Sequence, residues 1–260
     1  MIENFSEFLG LQSSRIDSDI CAVSVVNYEC AVSEKWHCHE HFHLSAILKG
    51  GNLESRKKAD IQALPGKLLV YHPGEIHRNR YTQFPSKNLN IEIKDQFFRD
   101  HGIAPENLSF TGPRVMENYF HLIKIYNELT INDGYSTETV HTLLKSMFTK
   151  KKNSNVNPEL IKQLHEIIED RWDEFIPLEE LAIELQVHPV TISKYFRKHY
   201  QCTLAEYLRK IKIAKALHLI WHTKKSATEI AFTCGFSDQS HMTRLFKVYL
   251  GFRPKEIPKI

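Results

Sequence analysis

The chain has 260 residues, of which 42% are hydrophobic and 25% charged, and its formal net charge is +3. This length and composition predict a globular protein with one large or two ordinary domains. No apolar run approaches the ~20 residues that cross a bilayer, and the N-terminus MIENFSEFLG lacks the pattern of a secretory signal. The five cysteines show no CxxC spacing, which favours reduced thiols over a disulfide framework, so we expect a cytoplasmic protein without a membrane partner.

Strand signals dominate the first part of the chain. Short runs rich in β-branched and aromatic residues recur at intervals of roughly ten residues, in ICAVSVVNYECAV, HFHLSAILKGG, GKLLVYHPGEIH and NLNIEIK. The glycine pair at the end of the second run is typical of a strand that enters a turn. Together these runs predict a small β-sandwich or barrel.

Apolar residues then recur at helical spacing, which predicts two helices, Arg114–Thr130 and Ser136–Phe148. These helices are candidates for a dimer surface, with packing against the barrel as the alternative. The polar stretch 151–157 has no periodicity and is typical of a linker. Every segment beyond Pro158 has helical spacing. The predicted fold class is therefore α+β with two domains, residues 1–150 and residues 158–260.

Charge is distributed unevenly in the helical half. Residues 157–187 carry two basic and nine acidic side chains, net −7, whereas residues 188–260 carry 14 Lys and Arg against four acids, net +10. A basic block of this kind is the electrostatic footprint of a polyanion-binding protein, with a merely solvated basic face as the alternative.

Two segments of this half share one design. Short predicted helices, Leu178–Leu185 and Thr228–Cys234, are each followed by a tight turn and a second helix, Pro189–Tyr200 or Asp238–Leu250. This arrangement predicts two helix-turn-helix units. A plain helical hairpin would show the same spacing in one unit, but two units joined by the long basic helix Leu204–His222 favour DNA recognition.

The second unit, IAFTCGFSDQSHMTRLFKVYLGFRPKEI, resembles the signature of the AraC/XylS family of bacterial transcription regulators. Met242 and Arg253 stand where phenylalanine and threonine are usual, and Lys212 replaces a usual arginine while keeping a charge that can contact phosphate. The resemblance covers about 100 residues, 157–260. The matching residues are Ile230, Ala231, Gly235, Phe236, Asp238, Ser240, Arg244, Phe246, Lys247, Gly251 and Pro254.

The resemblance implies that both second helices enter successive major grooves of double-stranded DNA. By motif alignment, the candidates for contact with bases are His188, Val190, Ser193 and Lys194 in the first unit, and Gln239, Ser240, Thr243 and Arg244 in the second. Candidates for phosphate contacts are Arg197, Lys198 and Lys247. Glutamine pairs bidentately with adenine, and arginine with guanine, so Gln239 and Arg244 are candidates for specificity.

The resemblance also implies that the N-terminal half is a sensor domain built on a cupin-like β-barrel. The stretch WHCHEHFHL carries a histidine at every second position from His37 to His43. It matches the first cupin motif at His37, His39 and Gly50, with His43 in place of the usual glutamate. A second motif is matched at Gly66, Gly74 and His77, with His72 and Tyr81 in place of proline and asparagine.

Geometry limits this histidine cluster. Alternate residues of a strand lie ~6.6 Å apart, so four histidines on one strand span ~20 Å and cannot share one ion. The cupin ligand positions are His37, His39, His43 and His77, a set suited to Zn, Ni, Cu or Fe. His41 fits no ligand position. The alternative, compatible with a metal, is an organic effector pocket lined by Trp36, His37, His39, His43, Tyr71, His77 and Arg78.

These observations predict a non-enzymatic, AraC-type transcription regulator whose barrel senses a small molecule and controls DNA binding or activation. The expected partners are DNA, a sugar or other polar metabolite, RNA polymerase and a second copy of the chain. The alternative is a cupin metalloenzyme with an accessory helical domain, which the missing glutamate and the complete double helix-turn-helix disfavour. An RNA- or membrane-binding module has only the basic charge in its favour.

Overall fold

The computed structural model describes residues 3–4, 10–30, 34–105, 110, 115–148, 158–174, 176–258 and 260. The chain divides into two compact units, residues 1–110 with 121–149 and 260, and residues 111–120 with 150–259. The predicted linker, residues 151–157, lies outside the described residues.

Among the described residues of the first unit, eight strands form one sheet. Strand β8 is central, because it pairs antiparallel with β3, β4 and β5, while β5 also pairs with β6 and β7. The strands are β1 (Glu3–Asn4), β2 (Leu11–Asp17), β3 (Cys21–Tyr28), β4 (His37–Cys38), β5 (Phe42–Arg56), β6 (Asp60–Ala63), β7 (Leu68–Tyr71) and β8 (His77–Ile93).

The glycine pair in β5 does not end the strand, so the predicted turn at this point is wrong. Gly50 and Gly51 have φ values of +71° and +132°, which bend the strand within the sheet. The pairing register with β8 shifts at both residues, and β5 then continues to Arg56. A Cβ on Gly51 would lie 2.2 Å from the carbonyl oxygen of Ala63, so a side chain cannot fit there.

The two faces of this sheet differ in polarity. Side chains alternate between faces along a strand, and Phe42 of β5 packs edge-on against Phe98 and Phe148 of the flanking helices. The opposite face of β5 carries His43 and Ser45, both buried. The barrel therefore buries an apolar face against helices, and its interior face carries buried polar side chains.

Within the described part of the chain that follows the sheet, the next helices are α1 (Asp95–His101), α2 (Val115–Ile131) and α3 (Ser136–Phe148). The prediction of α3 is confirmed, and α2 ends one residue later than predicted. Arg114, the predicted start of α2, lies outside the described residues. Helix α1 was not predicted.

The second unit is helical, as predicted, and the α+β fold class is confirmed. Its helices are α4 (Pro158–Asp170), α5 (Leu178–Glu184), α6 (Pro189–His199), α7 (Leu204–His222), α8 (Ala227–Thr233) and α9 (Gln239–Leu250), followed by a 3-10 turn (Pro254–Glu256). Capping boxes fix the starts of α7 and α8, through Thr203 with Glu206 and Ser226 with Glu229. Within the described parts of the chain, no helix has the length and hydropathy that crossing a membrane requires.

Candidate nucleic-acid interface and histidine centre

The two helix-turn-helix units close their turns in the same way. The amide of Val187 donates to the carbonyl of Ala182, and that of Phe236 donates to the carbonyl of Ala231, both at 2.9 Å. The residue before each donor is left-handed, with φ of 52° at Gln186 and 67° at Gly235. The repeat seen in the sequence is therefore a repeat in backbone geometry, although only one unit uses glycine.

Lys212 explains why the second turn needs glycine. Its ammonium donates to the carbonyls of Asp173 and Gly235, each at 3.1 Å. A Cβ on Gly235 would lie 2.6 Å from the Asp173 carbonyl and 2.8 Å from the Lys212 ammonium. Burial also lowers the pKa of Lys212. The Lys212 charge, which is chemically able to contact phosphate, is used within the domain, where it fastens α7 to the second turn.

Helix α9 has one buried and one exposed face. Met242, Phe246 and Leu250 are buried, and the Asp238 carboxylate caps the helix by accepting the His241 amide at 2.7 Å. The predicted DNA-contacting residues lie together on the other face. They line one open groove with a sixth residue: Gln239, Ser240, Thr243, Arg244, Lys247 and Arg253.

Arg253 was not among the predicted contacts, although its departure from the family's usual threonine was a visible signal. Gln239 is also hydrogen-bonded within the domain: its side-chain oxygen accepts the Thr228 hydroxyl at 3.0 Å. This bond orients the amide before any base is present.

The candidate DNA-contacting residues of helix α6 differ in their exposure to solvent. Ile192, Tyr195 and Phe196 are buried, and Lys194, Arg197 and Lys198 are exposed. Val190 is 48% exposed, and Ser193 is partly buried. The His188 imidazole caps the helix, with Nδ1 accepting the Val190 amide at 3.2 Å. One ring nitrogen of His188 is therefore engaged by the protein itself.

The histidine cluster is assembled from three strands. His37 of β4 lies directly opposite His77 of β8, and their ring centroids are 4.3 Å apart. Nδ1 of His37 lies 3.1 Å from the Lys35 carbonyl, and Nδ1 of His77 lies 3.0 Å from the Glu75 carbonyl. Because a carbonyl only accepts, both Nδ1 atoms carry the proton and both Nε2 atoms hold the lone pair.

The four ligand positions expected from the cupin motifs do not form one group. Donor atoms of His37, His39 and His77 lie within 4.8 Å of one another, and those of His39, His43 and Glu92 form a second group with the same limit. Two donors on one ion bound at ~2.1 Å lie at most about 4.2 Å apart. Small ring rotations would therefore close either group, but His43 belongs only to the second, with Glu92, which sequence reasoning missed.

Burial keeps the imidazoles of His39, His43 and His77 neutral. It lowers the pKa of His39 to about 4 and that of His77 to about 3, and it holds the pKa of His43 well below its ordinary value. Neighbouring imidazoles lower these pKa values further by charge repulsion. Neutral imidazole is the form that binds a transition metal.

Tyr71 packs against one side of the histidine cluster. It also belongs to a buried ion network that was not predicted from the sequence. The Tyr71 ring lies 4.2 Å from the His77 ring, and its hydroxyl donates to the fully buried Glu54 carboxylate. Arg56 donates to Glu54 at 2.5 Å and to Glu75 at 2.7 Å. Burial raises the pKa of Glu54, and these partners oppose that shift. The network connects β5 to the turn that carries His77.

The remaining predicted pocket residues pair with each other. The Arg78 guanidinium lies 4.7 Å from the centre of the Trp36 ring, as a cation–π pair. His41 lies apart from the cluster, beside an open surface depression that Asp19, Lys94 and Arg99 also line.

Comparison with known proteins finds similarity in the helical domain. Residues 181–259 match the family model described as a helix-turn-helix domain. The HTH-type transcriptional activator RhaS of Escherichia fergusonii is 34% identical over 90 residues, covering 35% of this chain and 32% of that protein. RhaS of Enterobacter sp. strain 638 is 33% identical over 101 residues, covering 39% and 36%. The chain thus aligns with about a third of the length of these curated relatives.

Solved structures overlap with the chain only loosely. Fatty-acid-bound ToxT of Vibrio cholerae is 11% identical, covers 93% of this chain and 96% of its own, and has a TM-score of 0.37. A cupin-2 domain protein of Shewanella frigidimarina is 16% identical, covers 32% and 80%, and has a TM-score of 0.28. Scores this low do not establish a shared fold.

The matched residues and the duplicated turn define a helix-turn-helix protein with a separate β-sheet domain. At this level the sequence-based prediction of a β-sheet domain followed by a helix-turn-helix domain is confirmed.

Proposed function

We propose that the chain is a sequence-specific, DNA-binding transcriptional regulator of the AraC type. The observation that carries this proposal is the exposed face of α9, where five polar or cationic side chains of the helix, together with Arg253, line one groove that contains no acid. Helix α6 presents Lys194, Arg197 and Lys198 at the matching place in the first unit. Two such helices on one domain suit successive major grooves, about 34 Å apart.

The proposed division of labour follows side-chain chemistry. Arg244 and Gln239 supply bidentate hydrogen bonds for guanine and adenine, and Ser240 and Thr243 add single bonds. In the first unit, His188, Val190, Ser193 and Lys194 face the bases. Arg197, Lys198 and Lys247 contact phosphates, which position the protein without reading the sequence.

Selection from a random double-stranded DNA library tests this proposal. The full chain is expected to enrich a motif with two blocks about one helical turn apart, and hydroxyl-radical footprinting should show protection on one side of the duplex. Recovery of unselected sequences only, in repeated rounds at 150 mM salt, would contradict the proposal.

We further propose that the barrel binds a small polar effector, such as a sugar or another polar metabolite, beside Trp36, His37, His39, His43, Tyr71, His77 and Arg78. Support comes from the polar interior face. Three buried oxygens there, Ser24 Oγ, Asn52 Oδ1 and Asn88 Oδ1, have no hydrogen-bond partner among the described residues. Buried oxygens of this kind are costly unless a ligand or water satisfies them. Thermal-shift screening of metabolites against the chain is the direct test.

A divalent transition metal at the cluster is a compatible proposal, with His37, His39 and His77 as the ligands, because the donor atom of His43 lies in the other group, with His39 and Glu92. The Nδ1–H bonds to backbone carbonyls support it, because they orient Nε2 lone pairs as metal ligands require. The ion, Zn, Ni, Cu or Fe, would supply a Lewis-acidic point to which an effector oxygen can bind. Elemental analysis of the purified chain, with His37→Gln and His77→Gln as comparisons, decides whether it is there.

The effect of a chelator on DNA binding distinguishes a transcription regulator from a metalloenzyme. We propose that the chain is not an enzyme, so sequence-specific binding in gel shifts should persist in EDTA. DNA binding absent in every condition, together with metal-dependent turnover of a small molecule, would favour the cupin metalloenzyme alternative.

The remaining partners are proposals as well. We expect a cytoplasmic homodimer that pairs through α2 and α3 and contacts RNA polymerase when bound near a promoter. Analytical ultracentrifugation of the full chain tests the dimer, and monomers at micromolar concentration with and without DNA would contradict it.

A further inference from the structure

The groove along α9 is ordered from neutral to cationic. Gln239, Ser240 and Thr243 lie in the first half of the helix and are neutral hydrogen-bonding groups. Arg244 and Lys247 lie in the second half, and Arg253 completes the lining from beyond the helix end. Because recognition helices read bases mainly with their N-terminal part, we expect the lining up to Arg244 to face the bases, and Lys247 and Arg253, farther along, to face the DNA backbone.

Arg253 stands on a backbone that is fixed on both sides. Gly251 has φ of +91° and turns the chain at the end of α9, after which the Phe252 side chain is buried. The Glu256 carboxylate accepts the Arg253 amide at 2.7 Å. The indole of Trp221 donates to the Pro258 carbonyl at 2.9 Å, which ties the segment to α7. A cation on such a segment loses little backbone entropy when it binds.

We propose that Arg253 is a phosphate-contacting residue of the DNA interface and acts with Lys247 as a two-point clamp on one strand. This proposal rests on the proposed DNA-binding function. Guanidinium matches phosphate geometry with two parallel hydrogen bonds, which threonine, the residue usual at this position of the family pattern, cannot provide. The substitution thus adds a backbone contact to the second unit.

The salt dependence of binding tests the clamp. Arg253→Thr removes the guanidinium, and Lys255→Thr is the matched control, since it removes one charge from an exposed residue outside the groove lining. Arg253→Lys keeps the charge. Each variant is titrated with its selected DNA between 50 and 200 mM salt, and circular dichroism checks that it is folded.

The slope of log affinity against log salt should fall by about 0.9 in magnitude for Arg253→Thr, so its affinity loss across this fourfold range is about 3.5-fold smaller than that of the unmodified chain. Arg253→Lys and Lys255→Thr should keep the full slope, and the preferred sequence should not change.

Three results would overturn the proposal: an unchanged slope for Arg253→Thr, an equal change for Lys255→Thr, or an altered base preference. The first two leave specific binding by the unmodified chain intact and so refute only the clamp. Absence of specific binding by the unmodified chain refutes the proposed function and the clamp together.

Discussion

The two domains bury different kinds of side chain. The barrel interior encloses histidines, serines, asparagines and the carboxylate of Glu54, whereas α4 to α9, among their described residues, bury only apolar side chains, cysteines and tyrosines. Burying polar groups is costly unless they are paired or serve a ligand. The contrast indicates that the barrel keeps its functional groups inside, and the helical domain keeps them on its surface.

This contrast has an energetic consequence. Substitutions at the barrel's polar groups should change stability and ligand binding together. Substitutions on the exposed faces of α6 and α9 should change DNA binding while stability stays nearly constant.

Glu54→Ala should have the largest effect. It leaves the Tyr71 hydroxyl and the Arg56 guanidinium without their shared buried partner, and loss of one member of a buried ion pair costs about 3–5 kcal/mol. Urea unfolding of the full chain measures the loss. Arg171→Ala is the control, because Arg171 pairs with the exposed Glu174 and Glu180 in the helical domain and should change stability little. Equal losses of unfolding free energy for the two substitutions would contradict this difference between the domains.

The second-largest effect is expected from acid, which should lower the folding stability of the barrel. In the metal-free protein the pKa of His39 is about 4 and that of His77 about 3, below the ordinary value of ~6.5 in the unfolded chain. The unfolded state therefore binds protons first. The stability that the neutral imidazoles contribute is fully present above pH 6.5 and falls as the pH drops toward 4, by roughly 3 kcal/mol for a histidine shifted this far.

His77→Gln isolates this effect. Its urea midpoint should fall less steeply than that of the unmodified chain between pH 6.5 and 4, with both proteins in EDTA. Parallel pH profiles would show that His77 does not titrate with folding.

Arg244→Ala should weaken specific DNA binding by about 1–3 kcal/mol and relax the preference at one base pair. The guanidinium is exposed on α9, so the urea midpoint should stay within experimental error. Fluorescence anisotropy with the selected DNA and single-base variants measures both quantities. An unchanged specificity profile would refute the contact with a base.

Lys247→Ala should have the smallest effect. As a phosphate contact it lowers the salt slope by about 0.9 without changing which sequence is preferred. The same anisotropy titrations, repeated at several salt concentrations, test this. A changed sequence preference with a constant slope would reverse the roles assigned to Lys247 and Arg244.

The helical domain was predictable because its determinants are local. The spacing of Ala231, Gly235 and Phe246 reports a turn and a buried face within one short segment. Two details still escaped. Gln186 adopts the left-handed conformation without glycine, and Lys212 donates to carbonyls 23 and 39 residues away, which no local pattern records.

The barrel was less predictable because its site depends on strand pairing. The motif identified the histidines, but Glu92 joins them only through the register in which it lies opposite His43. No sequence pattern marks Glu54, Arg56 and Glu75, and only the folded chain brings them into one hydrogen-bonded network with Tyr71.

The most direct test of the inside–outside contrast is a footprint of the full chain on its selected DNA, compared between the unmodified protein, Arg244→Ala and His77→Gln. The account predicts protection at two sites one helical turn apart for the unmodified chain and His77→Gln in the absence of effector. It predicts weakened protection of one site for Arg244→Ala. Loss of both sites in His77→Gln, with full protection in Arg244→Ala, would contradict the assignment of DNA recognition to the exposed face of α9.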